Sequence, residues 1–242
     1  MSFFSNLTAL RAYSKHIKGK NEEALALYRK AEQKAPITET TCILSYAALL
    51  MRESELEKAR ELLVPLARDT AVPQGQRDTA RIHLALIRWR LGDPEKAIEI
   101  LESMMERGEN TILYQTLGCL YTDCGMLEKA YEFNKKGVEY DDADSVILDN
   151  MGQTLYKMAM KERENGCDDK AAELLKEAEP YFDKALERRS NQTDSWYYKA
   201  VLLLERGEKD EAAEAIESGL KCHFSMMNTV TREMFEKLKT EL

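Results

Sequence analysis

The chain has 242 residues, of which Ala, Leu, Glu, Lys and Arg make up 120, whereas Gly (11) and Pro (5) are scarce. This balance excludes a sandwich or barrel of many short strands and favours long stretches of helix. A hydrophobic share of 44% suits a folded chain, and a net charge of −8 argues against nucleic-acid binding through a basic surface.

The segment from Met1 to Thr8 has no basic region followed by a long apolar run, so no secretory leader is expected. A first helix pair is expected over about residues 5–38, broken at Gly19 and restarted with Asn21 as a cap. A second covers about 40–73 and breaks at Ser54; its apolar run Ile43–Met51 is too short and interrupted to cross a bilayer. A third covers about 78–110, breaks at Gly92 and restarts on Asp93-Pro94, a cap followed by proline at the first helical position. The fourth, about 111–144, breaks at Gly125; the fifth, about 145–192, at Gly166; the sixth, about 193–226, at Gly207. The last stretch, 227–242, carries Val230, Met234 and Leu238 on one stripe and reads as a capping helix; the whole, 1–242, reads as one domain.

The pairs are copies of one unit. A small residue is followed twelve positions later by alanine at Ala12/Ala24, Ala47/Ala59, Ala85/Ala97, Gly118/Ala130 and Ala200/Ala212. In the fifth pair, Gly152/Ala178, the gap is 26, while Gly118 to Gly152 and Ala178 to Ala212 are both steps of 34. The period is therefore 34, with an insertion of 14 residues in the fifth repeat. Fourteen residues are about four helical turns. Shared equally, they predict helices over Ser145–Glu164 and Asp169–Arg189, the second bent at Pro180 as the fourth helix is at Pro65.

The residues within the period are also specific. The fourth repeat has Tyr114, Leu117, Gly118 and Tyr121; the sixth has Trp196, Ala200 and Ala212; the first ends on Ala24, Tyr28, Ala31 and Pro36. Over roughly residues 5–226 this pattern resembles the tetratricopeptide repeat family. The resemblance implies an all-α, right-handed superhelical solenoid of six helix pairs plus a C-terminal capping helix. Five positions depart from the family pattern, among them Arg11 and Lys15 in the first helix, explained by an outward-facing terminal repeat, and Asn134, where an aromatic is expected. Arg81 and Arg88 also depart, and they suggest a rotated or slipped first helix in the third repeat.

In the resembling family the first helices line a concave groove. Carried over position by position, the candidate partner-binding residues are Tyr13, His16, Leu44, Met51, Arg52, Leu86, Trp89, Arg90, Gln115, Gln153, Tyr156 and Tyr197. Asp149 and Asp194 stand at equivalent inward positions. Tyr and Trp in such a lining favour a binding surface, because these residues dominate interface energetics. The clamp with which some family members hold a C-terminal carboxylate is missing, since its positions hold Ala9, Tyr13, Ser45, Thr79 and His83, and Asn150 alone does not restore it.

No catalytic constellation is visible. His16, His83 and His223 fall in different repeats, and there is no phosphate loop, dinucleotide fingerprint or nucleophile elbow. Cys42, Cys119, Cys124, Cys167 and Cys222 lack metal-ligand spacing and read as reduced thiols of a cytoplasmic protein. The expected function is a non-catalytic scaffold, without metal or cofactor, that holds a peptide segment or protein partner in the groove. Nucleic acid and membrane insertion are not expected. The alternative is a homo-oligomer assembled through the C-terminal helix or the extended fifth hairpin.

Overall fold

Successive helix pairs follow from the chain's punctuation. In the computed structural model, which describes residues 2–226 and 228–242, there are thirteen α-helices and no strand among the described residues. Met1, in the segment read for a leader, and Met227, in the stretch assigned to the cap, lie outside the described residues. The pairs are α1 (Ser2–His16) with α2 (Asn21–Lys34), α3 (Thr40–Arg52) with α4 (Leu56–Arg68), and α5 (Gln74–Arg90) with α6 (Pro94–Met105). They continue as α7 (Thr111–Asp123) with α8 (Leu127–Tyr140), α9 (Ser145–Glu164) with α10 (Asp168–Arg188), and α11 (Thr193–Glu205) with α12 (Lys209–Leu220). A final helix, α13, spans Arg232–Lys239.

All six residues read as breaks have positive φ, from 64° at Ser54 to 95° at Gly92. This left-handed conformation ends a helix and costs glycine little, because glycine has no Cβ. Five of the six breaks are glycine; Ser54 carries the strain instead. At the restart of α6, the Lys96 amide donates to Asp93 Oδ1 at 3.3 Å, with Pro94 as the first helical residue. Asn21, by contrast, does not cap: it is itself the first residue of α2, which has no side-chain cap. Neither α4 nor α10 is divided at its internal proline.

The inserted hairpin has the expected form. α9 and α10 have 20 and 21 residues, against 13 and 14 in α7 and α8, so each gains seven residues, or about two turns. α13 is shorter than the stretch assigned to the cap, because Thr231 caps it by accepting from the Met234 amide at 3.4 Å. Phe235 of α13 is fully buried, with its ring edge-on to Tyr197 and to Phe224 at 5.4 and 5.8 Å. The C-terminal helix thus closes the last pair with apolar surface.

The helices form two compact units. One comprises Met1–Ile100 with Ser225–Met227, the other Leu101–Phe224 with Asn228–Leu242. In the first, Ala12, Ala24, Ala47 and Ala59 are completely buried among larger residues such as Tyr28 and Tyr46, whose rings stack at 5.1 Å, and Ala85 is completely buried too. In the second, Ala178, Ala200 and Ala212 do the same beside Phe182, which stacks on Tyr198 at 5.4 Å. The small residues let helices approach closely and the large ones fill the seams.

Asn134 is explained by this second core. Its Nδ2 donates to Thr154 Oγ1 at 2.9 Å, and Thr154 Oγ1 lies 2.7 Å from Thr122 Oγ1. Asn150 Nδ2 completes the set by donating to the Gln115 carbonyl at 2.8 Å. A Cβ added at Gly118 would lie 1.9 Å from Asn134 Oδ1, so Gly118 makes the space that the asparagine occupies. A buried polar side chain in place of an aromatic is tolerated because its hydrogen bonds are made.

Candidate functional site

In the first unit, the candidate residues lie on α1, α3 and α5. Tyr13, Leu44 and Leu86 each pack one side against the core and remain half-buried. His16 joins α1 to α3: its Nδ1 lies 2.6 Å from Ser45 Oγ, which accepts from the Tyr28 hydroxyl at 2.8 Å. Burial, and then the charge of Arg52, hold His16 below the usual histidine pKa. A neutral imidazole is therefore favoured, with Nδ1 able to accept from Ser45. Met51 and Trp89 are only 4% and 7% exposed, so they contribute packing rather than open surface. Arg90 lies over the Trp89 ring, 3.5 Å from its centroid, and Arg52 comes within 3.8 Å of the Glu53 carboxylate. On α5, burial also pushes His83 down to about 4, and its Nδ1 has no hydrogen-bond partner among the described residues.

In the second unit, Gln115 of α7 donates from Nε2 to Asp144 Oδ2 at 2.8 Å. Tyr156 and Tyr197 flank buried Tyr198, with centroids 4.9 and 5.4 Å from its ring. Gln153 is 3% exposed and belongs to a polar cluster. Its Nε2 donates to Asp149 Oδ2 at 2.6 Å, while Ser195 Oγ donates to Asp149 Oδ1 at 2.5 Å. Asp194 lies beside them and is held by the segment leading to α13. The Thr229 amide and hydroxyl donate to Asp194 Oδ2 at 3.0 and 2.8 Å, and the Thr229 hydroxyl also reaches Gln153 Oε1 at 3.3 Å. The Val230 amide and Asn228 Nδ2 reach Asp194 Oδ1 at 3.4 Å.

Burial, and then the neighbouring Asp194, push Asp149 up to about 7; burial also raises Asp194, against the opposing hydrogen bonds from Thr229, Val230 and Asn228. Two carboxyl groups this close and this buried do not both ionise easily. The cluster is held together by the chain's own tail, which covers Gln153, while Phe235 of α13 covers one edge of Tyr197. Of the candidate residues, the structure thus leaves Tyr13, His16, Leu44, Arg52, Leu86, Arg90, Gln115, Tyr156 and Tyr197 half-buried, and buries Met51, Trp89 and Gln153. Asp149 and Asp194 stood at inward positions, but the role of Ser195 and of Asn228–Val230 carried no sequence signal, because it depends on a contact across 34 residues or more.

Among the described residues, no group of three or more His, Cys, Asp or Glu side chains could hold a metal ion, and no helix is long and apolar enough to cross a membrane. Family models described as tetratricopeptide repeat match residues 79–103, 112–144 and 164–222. The chain is a tetratricopeptide repeat protein. The matched segments include α7 and α8, α11 and α12, and α10 of the extended hairpin. No curated protein matches this tetratricopeptide repeat chain in sequence.

Among solved structures, the chain is similar to one titled human IFIT1 dimer with PPP-AAAA, at 15% identity over 97% of this chain and 71% of that one, with a TM-score of 0.57. At that identity the likeness speaks to the fold alone. It is also similar to MamA 41-end from Desulfovibrio magneticus RS-1, at 14% identity, 77% and 96% coverage and a TM-score of 0.48. A third is YrrB, titled a TPR protein with an unusual peptide-binding site, at 18% identity, 84% and 92% coverage and a TM-score of 0.46.

Proposed function

We propose that this tetratricopeptide repeat chain is a non-catalytic interaction scaffold that holds a peptide segment of a protein partner on the first helices of its repeats. The observation that carries the reading is in the first unit. Tyr13, Leu44 and Leu86, one from each of α1, α3 and α5, pack against the core yet keep part of their apolar surface open. Half-buried aromatic and aliphatic side chains fixed on rigid helices lose little entropy when a partner covers them, which is what an anchoring surface needs. His16 and Arg52 supply polar contacts beside them.

In the second unit, the equivalent surface at Gln153 and Tyr197 is engaged by the C-terminal segment. This supports peptide capture as the use of such a surface, since the segment is held there by the backbone amides of Thr229 and Val230. The same packing disfavours assembly through the C-terminal helix, whose apolar residue Phe235 is already buried within the chain. The test is affinity capture with the intact chain and with a Tyr13→Ala, Leu44→Ser, Leu86→Ser variant. A partner held by the first and lost from a folded second supports the reading; equal retention contradicts it.

A further inference from the structure

The departures at Arg81 and Arg88 find a place on α5. At 3.6 residues per turn, Arg81, Leu84, Arg88 and Leu91 form a stripe opposite the one carrying Ile82, Leu86 and Trp89. The helix therefore presents two faces, and the second borders a cavity of about 230 Å³ between α4, α5 and α6. Four arginines surround it: Arg60 and Arg68 from α4, Arg81 and Arg88 from α5. The rest of its lining is apolar, including Val64, Leu84, Ile87 and Leu91, and none of it is acidic among the described residues.

Three of the arginines have carboxylate neighbours. Arg60 pairs with Glu57 at 2.7 Å, Arg81 with Asp78 at 3.0 Å and Arg88 with Asp93 at 2.8 Å. Such surface pairs are weak and can be exchanged for another anion. The side chain of Arg68, exposed in the last turn of α4, makes no ion pair or hydrogen bond among the described residues. Leu91, at the rim, is 47% exposed. An apolar floor ringed by guanidinium groups, on a chain of net charge −8, is a local reversal of the overall field.

We propose that this cavity is a second docking site, which takes an apolar side chain flanked by carboxylates from an acidic peptide segment of a partner protein. Charge complementarity selects the flanks, since arginine forks bind carboxylates with two parallel hydrogen bonds. Size selects the anchor. Small-molecule sites span roughly 300–1,000 Å³, so about 230 Å³ suits one or two side chains rather than a whole ligand. The site faces away from the Leu86 stripe, so its occupation is independent of the surface in the functional proposal.

The test is fluorescence anisotropy with a labelled Glu-Glu-Leu-Phe-Glu-Glu peptide and the full chain. Controls are Lys-Lys-Leu-Phe-Lys-Lys, Gln-Gln-Leu-Phe-Gln-Gln and Glu-Glu-Ser-Ser-Glu-Glu. The acidic apolar peptide is expected to bind best although the chain is acidic overall, and to weaken as salt rises. Arg68→Glu and Leu91→Ser, both at exposed positions, are each expected to weaken it about tenfold or more, with unchanged circular dichroism and melting. Binding that is equal for the basic peptide, or untouched by both folded variants, overturns the proposal. So does binding of dodecanoate or oligoadenylate without binding of the acidic peptide.

Discussion

Replacing Asp149 by Asn should make the protein more stable in neutral and mildly alkaline solution. Asp149 is buried against Asp194, and its pKa rises from 3.8 to about 7 on folding. A group whose folded pKa is raised contributes full stability below its unfolded value and loses that contribution as pH rises through the folded value. The window here runs from about pH 4 to about pH 7. Three units at about 1.36 kcal/mol each make about 4 kcal/mol the ceiling of the loss. Asn keeps both hydrogen bonds: its Oδ1 can accept from Gln153 and its amide can donate to Ser195, whose hydroxyl is free to rotate. The assay is urea unfolding of both proteins from about pH 4 to about pH 8. The two curves should coincide at the acid end and diverge upward for the variant, by up to about 4 kcal/mol at the alkaline end. A variant that follows the wild-type slope, or is the less stable protein near pH 8, refutes the reasoning.

Three further outcomes follow from separate features. His83, pushed by burial down to about 4, contributes stability that is present above the ordinary histidine value of 6.5 and lost as pH falls towards the folded value. A His83→Leu variant should therefore lose this acid-side slope in thermal melts, and retention of the slope would count against the assignment. Asn134→Ala leaves Thr122 and Thr154 without their buried donor and should cost about 1–3 kcal/mol in urea unfolding; no change would mean that the network is dispensable. Gly166→Ala, at φ 77° with no atom within 4 Å of the added Cβ, isolates the backbone term and should cost about 1–2 kcal/mol; a neutral or stabilising result would contradict the left-handed turn.

The repeat was legible because its signals are local and periodic. Alanines spaced twelve apart mark buried seams, and left-handed residues mark breaks, so the order of the helix pairs was readable from the sequence and the ends of the inserted hairpin were placed to within a residue, although α5 starts four residues before the expected third pair. Depth and long-range pairing were not legible. Trp89 and Met51 occupy the expected stripe, but a stripe gives a direction and not an exposure. Gln153 lies at an inward position and is covered by a segment 76 residues further along, which no spacing rule reaches. Asn134 broke the aromatic pattern because Thr122, Asn150 and Thr154, its polar surroundings, come from two other helices. Arg81 and Arg88 were visible as departures, but their convergence with Arg60 and Arg68 needed the packing of α4 against α5.

The central claim is that half-open apolar side chains on α1, α3 and α5 anchor a protein partner. It is tested most directly by affinity capture from the source lysate, with the wild-type chain and the Tyr13→Ala, Leu44→Ser, Leu86→Ser variant run side by side and both shown to melt cooperatively. The account predicts a protein retained by the wild type and lost from the folded variant. A wild-type chain that retains nothing, or a partner retained equally by both, contradicts it.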